Sequence, residues 1–314
     1  MQSVITKTDF KFRGLQSKYE GKVRDVYTLN NNSMIVIATD RISAFDVIMP
    51  KGINYKGQIL NQISVEMLNK TKDIVKNWLI SSPDPNISYG IRCKPLKIEM
   101  VVRGYLSGHS FRLYRSGLRN ICGNIIPENM IENDQFKKPI VTPTTKAEIG
   151  NHDEDISPSE IVSNKILDKK MYEKLHYISL ELFKRGTEIA EKSGLILVDT
   201  KYEFGLDSEN NIVLIDEIHT PDSSRYFYSD SYNYLQNNKL KQKQLSKEFF
   251  REWLMENNFQ GNEGQKIPHI SNETVVLISN RYIELYEKLM NKRFLKDSQI
   301  DINRRMRENI SNFL

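Results

Sequence analysis

Residues 195–218, LILVDTKYEFGLDSENNIVLIDEI, decide the fold class. Two runs rich in aliphatic and aromatic residues, Leu195 to Phe204 and Ile212 to Ile218, flank the polar stretch Asp207-Ser208-Glu209-Asn210-Asn211. That pattern predicts an antiparallel hairpin. Side chains alternate along a strand, so Asp199, Lys201 and Glu203 share one face. On the return strand Asp216 interrupts an apolar run. A turn at Glu209-Asn210 sets Glu203 opposite Asp216, whereas a turn at Asn210-Asn211 sets Glu203 opposite Ile218. In the first register two carboxylates a strand apart, completed by waters and phosphate oxygens, suit Mg²⁺, and Lys201 suits a phosphoryl group. A solvated strand face accounts for the same pattern.

Helical signals surround the hairpin. Before it, Ser157-Pro158-Ser159-Glu160 reads as a capping box with proline at the first helical position. The helix or helix pair that follows reaches Lys192 and ends at Gly194. After the hairpin, from about Leu245, Lys247 to Asn257 and Glu273 to Asn291 carry helix-period apolar stripes.

Further upstream, strands are predicted at Lys22 to Leu29 and Ser33 to Thr39, joined by Asn30-Asn31-Asn32. Gly57 to Lys70 reads as a helix with Ile59, Ile63, Met67 and Leu68 on one stripe. A short strand at Trp78 to Ser81 precedes a Pro83-Asp84-Pro85-Asn86 loop, and Ile91 to Tyr105 reads as an extended segment interrupted at Pro95. Residues 120–157, with Pro127, Pro139 and Pro143, read as a long irregular stretch, functional or disordered. The fold class is α+β.

Composition narrows the function. The chain has 314 residues, enough for about two domains, with 39% hydrophobic, 27% charged and 10% aromatic residues. No run approaches the ~18 apolar residues of a membrane span, and the N-terminus lacks a secretory apolar region. Cys93 and Cys122 stand alone, as in a reducing cytosol, so a cytoplasmic protein with no membrane association is expected. Forty-five basic residues against 40 acidic ones give a net charge of +5. The basic groups Lys239, Lys241, Lys243 and Arg304, Arg305, Arg307 are not interleaved with aromatics, so nucleic acid is not an expected partner.

Several loops carry candidate chemistry. In YEGKVRDVY, residues 19–27, Gly21 with Lys22 and Arg24 forms a turn of the kind that lies over a nucleotide triphosphate. Gly52 to Gly57 has the spacing of a phosphate loop, but Gln58 stands where lysine is required, which excludes that motif. ATDRISAFDVIMP, residues 38–50, offers Ser43 and Asp46 at a strand end, and VVRGYLSGHS, residues 101–110, offers Arg103. TPTTKAEIGNHDEDIS, residues 142–157, packs Lys146, His152 and Asp153 into one loop without the spacing of a zinc site. No GxSxG elbow is present.

Taken in order with KGQILNQIS (residues 56–64) and LIDEIHTPDSSRY (residues 214–226), these strings resemble the SAICAR synthetase family of purine biosynthesis. The resemblance spans Tyr19 to Tyr226, about two-thirds of the chain. It implies an ATP-dependent ligase that joins carboxyaminoimidazole ribonucleotide to L-aspartate through an acyl phosphate. It implies Glu203 and Asp216 as magnesium ligands and Lys201 as the catalytic lysine at the reacting phosphate. ATP would meet Gly21, Lys22, Arg24 and Lys146, with a hinge at Lys94 to Lys97, including Leu96, pairing with adenine. Arg103 and Arg225 would grip the ribonucleotide phosphate through bidentate forks. Asp153 would lie beside the imidazole, and Ser43 and Asp46 near the substrates. The family's glycine-serine pair is Gly108-His109-Ser110 here, so either Ser110 or His109 would take that phosphate contact.

The implied architecture is a β-rich nucleotide-binding domain over residues 1–104, an α+β domain over 105–238 with the magnesium and substrate site, and C-terminal helices over 239–314 packed on the core. ATP would lie between the first two, in a monomer or homodimer. A small-molecule kinase with a related ATP site is the nearer rival. A non-enzymatic basic binding protein, resting only on net charge, is the other.

Overall fold

The computed structural model describes residues 4–146, 154–296 and 301–314. Its first layer is an antiparallel sheet. β1 (Leu15–Glu20) returns along β2 (Arg24–Leu29), with Glu20 opposite Asp25, and β3 (Ser33–Ala38) follows the asparagine turn. β1 was not expected, because its LQSKYE sequence lies on a solvated edge and carries no apolar alternation. The two-residue ladder β4 (Ser43–Ala44) and β5 (Val47–Ile48) precedes α1 (Lys56–Lys70). Ile59, Ile63, Met67 and Leu68 of α1 are all buried, as their period requires. β6 (Leu79–Asp84) and β7 (Ile87–Ile91) complete a sheet of order β1-β2-β3-β7-β6. Asp84 faces Ile87, so the predicted loop shrinks to a turn at Pro85-Asn86.

The second sheet forms the floor of the molecule. β8 (Lys94–Tyr105) leads through α2 (His109–Arg115) and the small hairpin β9 (Asn120–Ile121) and β10 (Asn124–Ile125) to β11 (Gln135–Thr145). Pro95 does not interrupt β8. It is the strand's second residue, opposite Gly205 next to a register shift, where a missing N–H costs little. Nor is 120–157 irregular throughout. β11 pairs with β8 at the edge of the sheet, the one position where Pro139 and Pro143 are compatible with a strand.

α3 (Pro158–Ser163) starts at the expected capping box, with the Ser157 N–H donating to Glu160 Oε2 at 2.8 Å. α4 (Lys169–Lys192) follows with Asp168 as its cap and Gly194, at φ +68°, just past its end. Then come β12 (Leu195–Leu206), β13 (Ile212–Ile215), β14 (Ser224–Tyr228), α5 (Ser229–Asn237), β15 (Gln244–Leu245) and α6 (Glu248–Glu256). The sheet order is β11-β8-β12-β14-β15, with β13 also on β12.

The hairpin register matches neither two-residue turn. Glu203 pairs with Ile215, because the connection is a five-residue loop in which the Asp207 carboxylate accepts the N–H groups of Glu209 and Asn211. Asp216 therefore falls one residue past β13, and its φ of +60° turns the chain there.

α7 (Asn272–Met290) packs on α1 and β15, while α8 (Ile302–Phe313) crosses back to the first sheet. Buried Ile302, Met306 and Ile310 cover Tyr27, Ile35 and Ile37 there, each contributing about 1.5–3 kcal/mol. The C-terminal helices thus clamp both sheets. Among the described residues, no helix is long and apolar enough to cross a membrane.

Candidate active site

The two sheets enclose a cleft of about 810 Å³, bounded by the β1–β2 turn above and by β8, β12 and the segment after β13 below. Gly21, Lys22 and Arg24 all line it. The Gly21 N–H donates to the Arg24 carbonyl at 2.8 Å, and a Cβ on Gly21 would lie 2.9 Å from that oxygen, so the tight turn requires glycine. Lys22 reaches Asp46 at 2.5 Å, clipping the turn to the β4–β5 ladder, and Ser43 of that ladder faces the cleft. Arg24 spans the cleft to Asp216 at 3.2 Å and Glu217 at 2.5 Å. Burial opposes its charge, but the two carboxylates overcome this and hold the guanidinium above its ordinary range.

On the floor, strand alternation does what the sequence predicts: Asp199, Lys201 and Glu203 face the ligand side. Lys201 Nζ donates to Glu203 Oε1 at 2.5 Å and to Glu99 Oε1 at 2.7 Å, and Lys146 donates to Glu203 Oε2. Burial would raise the Glu203 carboxyl, yet the two ammoniums outweigh it and keep it below the usual range. Asp216 goes the other way. Burial, with Glu203 and Glu217 nearby, outweighs Arg24 and raises it. Lys201 is held above its ordinary value, since Glu203 and Glu99 prevail over burial.

This pair of carboxylates fits a hard divalent cation. Among the described residues no three acidic, histidine or cysteine side chains converge as a metal cage. Two carboxylates beside a phosphate-sized space suit an ion that takes its other ligands from phosphate and water. A cation there would also offset the burial and the neighbouring carboxylates that raise Asp216.

The hinge segment is only partly in place. Pro95 lines the cleft, while Lys94 is exposed and Leu96 packs against the core. β11 pairing stops at Ile98, and Lys146 N–H takes the Lys97 carbonyl at 3.1 Å.

A second pocket of about 200 Å³ adjoins the cleft and shares Lys201 with it. Here Arg103 and Arg225 flank Asp199, at 3.5 and 3.8 Å. Arg103 is fixed by a 2.9 Å bond from Nε to Thr142 Oγ1. Burial, with Arg225 adding to it, lowers the Arg103 guanidinium despite Asp199. Arg225 Nε and Asp199 Oδ2 are buried without a hydrogen-bond partner. Two buried guanidiniums around one carboxylate make an anion site. Gly108, at φ +57°, admits Arg225, because a Cβ there would lie 2.3 Å from Arg225 Nη2.

His109 lines this pocket and bonds Asp155 at 2.7 Å. Ser110 does not line it. It is fully buried, and its hydroxyl donates to the Ser107 carbonyl at 2.9 Å. His109 is therefore the residue of that pair that faces the ligand space. Asp153 and His152 lie outside the described residues.

Several charged residues escaped sequence reading. Glu99 sits opposite Glu203 in the β8–β12 pairing, and its signal was a lone acid inside the apolar run of β8, the same signal that exposed Asp216. Asp222, inside the LIDEIHTPDSSRY string but not singled out there, lines the cleft together with Lys247 and Arg251, whose segment carries no motif.

Comparison with known proteins identifies the family. Residues 17–268 match the family model described as SAICAR synthetase. The chain is 55% identical over 312 residues to the phosphoribosylaminoimidazole-succinocarboxamide synthase of Flavobacterium psychrophilum, covering 99% of each chain. It is likewise 55% identical over 310 residues to that of Bacteroides thetaiotaomicron, covering 99% of this chain and 98% of the other. The solved SAICAR synthase of Saccharomyces cerevisiae, complexed with SAICAR, has 30% identity and a TM-score of 0.76 over 91% of this chain and 99% of that one.

Proposed function

The chain belongs to the SAICAR synthetase family, and from that premise we propose how its two adjoining cavities divide the work. The enzyme is an ATP-dependent ligase that joins carboxyaminoimidazole ribonucleotide and L-aspartate to give SAICAR, ADP and phosphate. The kinase alternative is not favoured.

A carboxylate is a poor electrophile with a poor leaving group. Transfer of the γ-phosphoryl group to the imidazole carboxylate repairs both defects. The aspartate amine then attacks the acyl carbon: the C–N bond forms, the C–O bond to phosphate breaks, phosphate departs with the electron pair, and the nitrogen gives up a proton. Such a reaction needs positioning and charge neutralisation more than covalent help from the protein.

Lys201, at the join of the two cavities, is the catalytic residue in this reading, placed to stabilise charge on the transferring phosphoryl group. ATP lies in the larger cleft under the Gly21 turn, with Lys22, Arg24 and Lys146 toward its phosphates and the Lys94–Leu96 backbone toward adenine. Glu203 and Asp216 would hold Mg²⁺, which when bound neutralises phosphate charge. Arg103, Arg225 and His109 take the ribonucleotide phosphate, with Ser110 bracing their turn from behind. Asp153 serves the imidazole side, and Ser43 and Asp46 line the approach. The same reading divides the chain into residues 1–104, 105–238 and 239–314 and puts the enzyme in the cytoplasm as a monomer or homodimer.

The observation that carries this reading is the position of Lys201, which lines both cavities while bonded to Glu203 and Glu99. Ribonucleotide labelled with ¹⁸O in its carboxylate tests it. One labelled oxygen should appear in the released phosphate, only with ATP and aspartate both present. Unlabelled phosphate would overturn the acyl-phosphate route.

A further inference from the structure

A further cavity of about 600 Å³, to which the proposed reaction assigns no ligand, adjoins the ribonucleotide pocket. Its size falls within the ~300–1,000 Å³ range of small-molecule sites. Phe111 and Arg115 of α2 line one side, and the 239–244 segment with α6 lines the other. Arg112, Arg225 and Glu248 line this cavity and the ribonucleotide pocket alike, so the two share a wall.

The lining divides by chemistry. Phe111, Phe227, Ile131, Leu240 and Met255 give an apolar surface suited to a flat ring. Five basic residues line the cavity against three acidic ones, which favours an anionic guest. Lys241 is held by Glu252 at 2.7 Å, but Arg115 and Lys239 are exposed and have no ion-pair partner among the described residues. Gln242, only 5% exposed, lines the same space. Its Nε2 donates to the Tyr232 carbonyl at 3.1 Å and to Gln236 Oε1 at 3.2 Å, while its Oε1 has no hydrogen-bond partner. A buried acceptor left open beside a cavity is satisfied by an N–H or O–H from a ligand.

We propose that this cavity binds a nucleoside monophosphate and that its occupancy weakens binding of the ribonucleotide substrate. The ring lies on the apolar surface with an N–H toward Gln242, and Arg115, Lys239 and Arg225 hold the phosphate. The antagonism follows from the shared wall. Arg225 lies between Asp199, at 3.8 Å, and Glu248, at 3.7 Å, and lines both spaces. One guanidinium fork cannot serve a phosphate in each cavity, and two dianions beside one side chain repel. The coupling is reciprocal, so bound ribonucleotide weakens the second ligand by the same factor.

The antagonism rests on the assignment of Arg225 to the ribonucleotide phosphate. AMP is the probe, titrated by calorimetry into enzyme whose ATP cleft is filled with Mg²⁺ and a non-hydrolysable ATP analogue. AMP should bind, and Arg115→Ala with Lys239→Ala should weaken it about tenfold or more, the size of a lost charged hydrogen bond. Gln242→Leu should weaken it as well; should Q242L lose its cooperative melt, the double variant alone decides. Without AMP, the kcat and KM values of the double variant should stay within about twofold of the parent. AMP should raise the ribonucleotide KM of the parent, not of the double variant, and leave the ATP KM unchanged. No AMP binding, or equal affinity in parent and double variant, overturns the site. Binding lost in Arg103→Ala but kept in the double variant puts AMP in the ribonucleotide pocket and overturns it equally. Inorganic phosphate or adenosine binding as tightly as AMP overturns the nucleotide assignment. Arg225→Ala without AMP checks the clamp separately: an unchanged ribonucleotide KM overturns the antagonism, whatever the AMP affinity of the double variant.

Discussion

Lys201 and Glu203, two residues apart on β12, are joined side chain to side chain at 2.5 Å, with Lys146 on the other carboxylate oxygen. The carboxylate that a metal ion would need is thus already neutralised by two ammoniums. Glu99 offers Lys201 a second partner at 2.7 Å, so the lysine can yield Glu203 without becoming an unpaired buried charge. With Mg²⁺ at Glu203, as proposed above, cation binding there and release of the lysines toward phosphate would be one exchange.

From that exchange, Glu203→Gln should lower turnover by about 10²–10³, the scale of one preorganised electrostatic contact. Its half-saturating Mg²⁺ should shift upward, and chelation by EDTA should abolish activity in both proteins. Magnesium titrations of initial rate check this. Parental turnover in E203Q at saturating Mg²⁺ would remove the metal role from this residue.

How far the sequence carried can be judged at these residues. The shared face of Asp199, Lys201 and Glu203 was legible because strand alternation is a local rule. The register was not, because it depended on Asp207 closing a five-residue loop with its own side chain. β11 was hidden by its two prolines, which mean irregular chain everywhere except on a sheet edge, and edge position is a tertiary fact. Glu99 was passed over as one acid in a strand. Asp222, Lys247 and Lys56 come together from positions up to 191 residues apart (Lys56 to Lys247), which no periodicity connects.

Gly108→Ala should damage ribonucleotide binding more than folding. A Cβ there would sit 2.3 Å from Arg225 Nη2, and a side chain at φ +57°, ψ −122° adds roughly 1–3 kcal/mol of backbone strain. Arg225 must then withdraw from the pocket. The ribonucleotide KM is expected to rise about tenfold while the ATP KM changes little. Equal values for parent and variant would show that Arg225 does not need this clearance.

His219 predicts an acid limit to stability. Full burial lowers its pKa from 6.5 to about 4, and its ring packs on Tyr202. The folded state therefore holds it neutral while the unfolded chain protonates near 6.5. Stability from this group is complete above that value and is lost as pH falls from 6.5 toward 4, up to roughly 3 kcal/mol. Urea melts across this range should show the decline, and His219→Gln should flatten it. An equally steep decline in H219Q would assign the acid sensitivity to other groups.

Arg305 sets the last prediction, on the clamp across the first sheet. From α8 it forks onto buried Asp84 at 2.9 and 3.0 Å and reaches Asn86 at 2.5 Å, while Asn309 adds a 2.8 Å bond to Asp84. Asn86 in turn donates to the Ala38 carbonyl at 3.0 Å, just before the Thr39–Asp46 segment that borders the cleft. Arg305→Met would leave Asp84 buried with its charge largely uncompensated, so it should cost about 3 kcal/mol. The loss is greatest when only one partner is removed, because the remaining charge keeps its desolvation cost. Replacing both, as in Asp84→Asn with Arg305→Met, should therefore destabilise less than R305M alone. Thermal melts of the three variants decide the point: a double variant weaker than R305M would mean that Asp84 supports the turn independently of α8. The ATP KM should follow the same order, since the clamp holds the sheet that carries the Gly21 turn.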